Sequence, residues 1–158
     1  MKIRIVSVGK IKERFFREAQ DEYLKMLSRF ADVEIVELQD EKVPEDPSAG
    51  EIEAVLRKEG ERIKNAVKGE TNYYCMAIEG MEYDSLAFAK FVENNRNSGR
   101  NIIFIIGGSY GISDEIKKGA RGLISFSKLT YPHRIARILL LEQLFRSFKI
   151  MSNEIYHK

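Results

Sequence analysis

Residues 102–132 read IIFIIGGSYGISDEIKKGARGLISFSKLTYP. Five consecutive apolar residues, Ile102 to Ile106, lead into Gly107, Gly108 and Gly111. An apolar run this short, closed by glycine, predicts a strand covered on both faces. A short helix starting at Ser113 or Asp114 follows, its acids placed favourably against the helix dipole. Leu123–Phe126 is a further strand, and the polar corner Ser127-Lys128-Leu129-Thr130 precedes Pro132. Two buried strands, each followed by a loop of small or polar residues, suit a ligand crevice, which in open α/β sheets lies beyond the carboxyl ends of the strands.

Working outward, the same alternation recurs. Lys2–Val8 alternates as a first strand ending at Gly9, and Glu13–Phe30 has aromatic and aliphatic residues at helical spacing, an amphipathic stripe expected to face the core. Val33–Leu38 is a second strand whose flanking acids look like a solvated edge. VPEDPSAG (43–50) is a surface loop, with Ser48 and Glu51 at capping-box spacing. A helix from about Glu51 to Lys68 is interrupted by Gly60, and the charged span 40–68 has the character of an excursion from the core. Asn72–Ile78 is a third strand ending in a turn at Glu79-Gly80, and Asp84 caps a helix over Ser85–Asn97. After Pro132 a long helix runs from His133 to Met151, its apolar face broad enough to serve a dimer interface as well as a core. The pattern predicts one domain over residues 1–158, of α/β class, with a mainly parallel sheet flanked by helices.

Composition narrows the function. The 158-residue chain has one cysteine, Cys75, so no internal disulfide forms, and its apolar setting suits a small buried hydrophobe. One Cys and two separated His give no structural zinc set. The apolar runs are far shorter than the ~20 residues of a membrane helix, and no signal peptide opens the chain, so a cytoplasmic protein is expected. The net charge of +2 conceals an asymmetry: residues 117–158 carry nine Lys/Arg against two acids. A basic quarter of this kind suits a polyanionic partner, or else forms a solvated helix face.

The glycine loop lacks the G-K-[ST] of a phosphate-binding loop and the G-x-G-x-x-G of a dinucleotide fold, and Ser109 lacks a nucleophile context. His133, beside the second loop, and His157, in the tail, are candidate general bases because imidazole titrates near neutrality. Three readings stay open on these residues alone: an enzyme of RNA, a non-catalytic RNA-binding module, and another nucleotide-binding enzyme using the Gly107–Gly111 loop.

The combination FIIGGSYG, SFSKLTYPH, LLEQLFRSFKI and a terminal YHK resembles the RlmH family of SPOUT methyltransferases, and the opening VGK, the acidic region 32–41 and the PEDP loop fit as well. The resemblance implies methylation of N3 of a pseudouridine in 23S rRNA, on the assembled ribosome, with S-adenosyl-L-methionine as cofactor. It implies a homodimer and a C-terminal trefoil knot, an exception to the rule that chains do not thread loops. It places the cofactor against Met76, Gly107, Phe126, Ser127, Lys128, Leu129, Thr130 and Tyr131. His157 or His133 would take the acceptor's proton, with Tyr156 and Lys158 holding the target base or phosphate. Arg134, Arg137 and Lys158 would contact RNA.

Overall fold

The computed structural model describes residues 1–156. Its elements follow in the order β1 (Lys2–Val8), α1 (Arg14–Leu27), β2 (Asp32–Leu38), α2 (Ala49–Ala66), β3 (Tyr73–Glu82), α3 (Ser85–Asn97), β4 (Ile102–Ile106), α4 (Asp114–Gly119), β5 (Gly122–Ser125) and α5 (His133–Met151). The five strands form one sheet in the order β2-β1-β4-β3-β5, every neighbouring pair parallel.

Side-chain alternation along the strands builds two cores. Ile3 and Ile5 of β1, Tyr74 of β3, and Ile102, Phe104 and Ile106 of β4 join Leu140, Leu141, Leu144 and Phe148 of α5. Val6, Val8, Cys75, Ile103 and Ile105 point to the opposite face, against Ile63 of α2 and Ile116 of α4. Ile3, Ile5, Phe104 and Ile105 are fully buried, each contributing roughly 1.5–3 kcal/mol of transfer free energy. Burial on both faces is why β4 reads as an unbroken apolar run.

Local signals set several helix starts. Ser48 and Glu51 form the reciprocal capping box of α2, and the Asp84 carboxylate accepts the Ala87 N–H at 2.7 Å to begin α3.

Four expectations are corrected. The charged span 40–68 is no excursion: Val55 and Ile63 of α2 are buried, and Gly60 continues the helix because its missing side chain admits the Ser113 hydroxyl, 2.8 Å from where a Cβ would stand. The α1 stripe is not wholly core, since Phe15 is 65% exposed. Glu37 on β2 is not a solvated edge residue but accepts from Arg137 and from the Ile11 N–H, both at 2.9 Å. Glu79-Gly80 does not end β3. The strand continues to Glu82 through a bulge, with Met76 and Met81 both opposite Ile124 of β5. Gly80 is required there, because a Cβ would lie 2.6 Å from the Ile124 nitrogen and the Leu123 carbonyl carbon.

Among the described residues no helix is long and apolar enough to cross a membrane, and no group of three His, Cys, Asp or Glu is arranged to hold a metal ion.

Candidate active site

A crevice of about 920 Å³ opens at the carboxyl ends of β1, β3, β4 and β5. This volume falls in the range of small-molecule sites. The ends of β1 (Val8, Gly9), the bulge of β3 (Met76–Glu79), the loop after β4 (Ile106–Ile112) and the loop after β5 (Phe126, Ser127, Leu129–Arg134) line it.

The loop after β4 is a tight turn. Gly111 donates its N–H to the Gly108 carbonyl at 3.0 Å and adopts φ +84°, which favours glycine. A Cβ on Gly107 would stand 2.4 Å from the Gly111 carbonyl oxygen. Gly107 therefore lets the loop close on itself, and the space gained at the crevice is secondary. Beneath Gly108 lies Glu59, 3% exposed, whose Oε1 accepts the Glu41 N–H at 3.0 Å while Oε2 has no partner. Burial, opposed by that hydrogen bond, leaves its carboxyl above the usual range.

Ser125 and Ser127 shape the loop after β5. The Ser125 hydroxyl donates to the Ser127 carbonyl at 2.8 Å, and the Ser127 hydroxyl accepts the Leu129 N–H at 3.1 Å and meets the Tyr131 hydroxyl at 3.2 Å. The Phe126 and Tyr131 rings pack edge to face, centroids 6.4 Å apart. Among the described residues, 126–131 make no backbone–backbone hydrogen bond outside regular elements, and apart from the Ser127 carbonyl and the Leu129 N–H, which the serine hydroxyls engage, their peptide groups are available to a ligand.

His133 opens α5 at the crevice. Its ring packs on Gly9, where a Cβ would lie 2.9 Å from the imidazole, and Nδ1 is buried without a partner. Burial, then the charges of Arg137 and Arg134, lower its pKa below the ordinary imidazole value. The ring is thus neutral and able to accept a proton. At the other side Lys117 donates to Glu79 at 2.8 Å, which keeps that lysine charged and that carboxylate ionised. Cys75 is fully buried, its thiol pushed up to about 12 by desolvation, which makes it inert.

Of the residues expected at the cofactor, the fold brings Met76, Gly107, Phe126, Ser127, Leu129, Thr130 and Tyr131 to the crevice. Lys128 does not line it and is exposed. Arg134 lines it, pairs with Glu13 at 3.0 Å, and is partly exposed. Arg137 is corrected as an RNA contact: its side chain is 0% exposed, with its guanidinium committed to Gln20, Glu37 and the Gly9 carbonyl. Tyr156 does not line its own crevice: after α5 the chain turns back and sets its ring on Phe145 and beneath Arg146. His157 and Lys158 lie outside the described residues.

Sequence reasoning missed Asp40 and Lys117. Reading Glu79-Gly80 as a turn noted the irregularity without its consequence. A second hollow, about 590 Å³, shares Ile124, Ser125, Phe126 and Tyr131 with the crevice and runs between the start of α3 and α5. Its one carboxylate, Asp84, is taken by the helix cap.

A family model described as "Predicted SPOUT methyltransferase" matches residues 1–157. The chain belongs to the SPOUT methyltransferase family. Relatives named "Ribosomal RNA large subunit methyltransferase H" agree over the whole of both chains: 48% identity for Lactobacillus delbrueckii subsp. bulgaricus and 45% for Clostridium perfringens, each over 159 residues. Among solved structures, the tRNA (m1G37) methyltransferase of Aquifex aeolicus superposes with TM-score 0.54 at 15% identity, covering 92% of this chain and 70% of that one. A methylase family protein of Neisseria gonorrhoeae gives 0.55 at 12% identity, covering 99% and 86%. At such identities these structures bear on the SPOUT fold alone. In that fold, the crevice beyond the strand ends is where the chain's loops, peptide groups and His133 converge.

Proposed function

We propose that this chain is an S-adenosyl-L-methionine-dependent methyltransferase that methylates N3 of a pseudouridine in 23S rRNA of the assembled ribosome. The observation that carries the reading is the 48% identity, over the full length, to a relative named for large-subunit rRNA methylation. The site is chemically suited to it. A crevice mixing apolar side chains (Met76, Ile106, Ile124, Leu129) with peptide groups of residues 126–131 that make no backbone–backbone bond accepts an adenosyl group without charged readers. Asp40 adds a negative charge, which favours a sulfonium, while Glu79 is neutralised by Lys117. Bound there, the cofactor supplies an electrophilic methyl group.

The chain's own residues position and deprotonate. The bulge of β3 and the Ser127-braced loop hold the reactants in register, and such positioning supplies much of the rate of a displacement. An acceptor N–H must lose its proton, and His133, neutral and in the crevice, is one base for it. His157 is the other. The tail containing Tyr156, His157 and Lys158 follows α5, and Tyr156 packs on Phe145 and Arg146 rather than lining the crevice at the start of that helix. In a homodimer that tail would serve the partner's crevice. The family's trefoil knot belongs to the same proposal, as does a cytoplasmic location.

The test is methyl transfer from labelled cofactor to ribosomes lacking the modification, followed by mapping of the labelled nucleotide. Label at N3 of a single large-subunit pseudouridine is expected. Transfer confined to protein-free small RNA, or to no RNA, overturns the reading. His133→Ala and His157→Ala variants assayed in single turnover across pH then decide the base: the one whose removal abolishes the pH dependence holds the role.

A further inference from the structure

Residues 10–17, KIKERFFR, join β1 to the first turn of α1 and present a surface that the crevice does not use. The segment is rigidly seated. Ile11 is 3% exposed and gives its N–H to Glu37, and the Arg17 guanidinium donates to the Ile11 carbonyl at 2.9 Å. Seating Ile11 leaves Lys10 and Lys12 exposed on either side, with no ion pair among the described residues.

Phe15 is 65% exposed, its ring 4.5 Å from that of Phe16. The Arg134 guanidinium lies 5.8 Å from the Phe16 ring. Arg134 also lines the crevice, so this aromatic pair is continuous with the crevice mouth. The segment's one acid, Glu13, is held by Arg134 at 3.0 Å. Arg14 meets Glu18 at 2.7 Å, but both side chains are largely in water, where such a pair holds weakly. A solvated helix start favours acids in its first turn and no bare aromatic. Here the first turn has Arg14 and Arg17 and no acid.

We propose that this surface docks a single-stranded stretch of the RNA substrate beside the target nucleotide, with a base stacked on Phe15 and phosphates at Lys10, Lys12 and Arg14. The proposal rests on the reading of the chain as an rRNA methyltransferase. Exposed aromatic and cation in one run, with the local acid neutralised, matches the combination by which single strands are held: stacking that tolerates any base, and a positive track for the backbone. Continuity with the crevice places such a strand where a reacting nucleotide enters.

The experiment compares wild type, Phe15→Ala and the double variant Lys10→Ala/Lys12→Ala. Binding of a labelled decauridylate is measured against salt, together with KM and kcat for unmodified ribosomes, affinity for S-adenosyl-L-methionine, and solution mass. Phe15→Ala is expected to weaken decauridylate binding and raise KM about tenfold, the effect of removing one stacked base. The double variant is expected to flatten the log affinity–log salt slope by roughly 0.7 for each phosphate that is no longer neutralised. Cofactor affinity and mass stay at wild-type values. Unchanged KM and slope in an active enzyme overturn the docking surface alone. A changed mass in Phe15→Ala overturns it in favour of a second copy covering Phe15. A wild type that neither binds nor methylates RNA overturns both this proposal and the function on which it rests.

Discussion

The buried guanidinium of Arg137 donates to the Gly9 carbonyl at 3.1 Å, joining the second turn of α5 to the exit of β1 across 128 positions of sequence. The same group bonds Glu37 at 2.9 Å and Gln20 at 3.0 Å, so one side chain ties β1, β2, α1 and α5 together. Burial alone would raise the Glu37 carboxyl; the Arg137 and Ile11 hydrogen bonds bring it below the usual range.

Arg137→Ala is therefore expected to destabilise the fold by about 3 kcal/mol, because it leaves a carboxylate and a carbonyl without their donor. Arg137→Lys keeps the charge but not the fork and loses less. Urea unfolding measures both. Because Arg137 is buried, neither substitution is expected to alter the salt dependence of RNA binding, which a phosphate contact would do.

Gly107→Ala is expected to weaken cofactor binding about tenfold, roughly 1.4 kcal/mol, because the added Cβ pushes the Gly111 carbonyl and opens the turn. Gly80→Ala meets backbone rather than a flexible side chain, at 2.6 Å, and is expected to cost stability as well by displacing β5. Calorimetry of cofactor binding and thermal unfolding separate the two effects.

His133 gives stability a specific pH dependence. Its folded pKa is depressed, so between that value and the ordinary imidazole value the unfolded chain binds more protons. Stability is therefore expected to fall as pH drops below about 6.5, down to the folded pKa, and to recover on return. Asp40 and Glu13 oppose the shift while Arg137 and Arg134 reinforce it. His133→Phe should remove this segment of the stability–pH curve, as followed by denaturant midpoint.

Glu59 has the opposite sign. Its folded pKa is raised, so the native state holds the extra proton and loses stability as pH rises from the ordinary carboxylate value to the folded one. Glu59→Gln keeps an acceptor for the Glu41 N–H and carries no buried charge. It is expected to be more stable than wild type at neutral pH, with the advantage vanishing near pH 4.5. Thermal midpoints across that range check it.

The fold was legible wherever burial imposed a period. The alternation of Lys2–Val8 and the unbroken Ile102–Ile106 mark β1 and β4 to the residue, and Pro132 marks the start of α5. The two crevice loops were also legible, because glycine and serine clusters after apolar runs have few other uses. What could not be read were features decided by partners distant in sequence. Arg137 looks like any helix arginine until Glu37 and Gly9 are placed around it, and Phe15 carries helical spacing although it is 65% exposed. The β3 bulge depends on Ile124 facing two residues at once, a register that NYYCMAIEGME alone does not specify.

The clasp between Gly9 and Arg137 has a consequence for how the enzyme comes into being. β1 is closed by α5, far from it in sequence, and the crevice takes its walls from segments spread over most of the chain. Contacts of such long range form late and slowly. A chain still lacking α5 has its glycine turn and the Ser127-braced loop but not His133. Affinity for the cofactor is thus expected only once α5 has docked against the exit of β1.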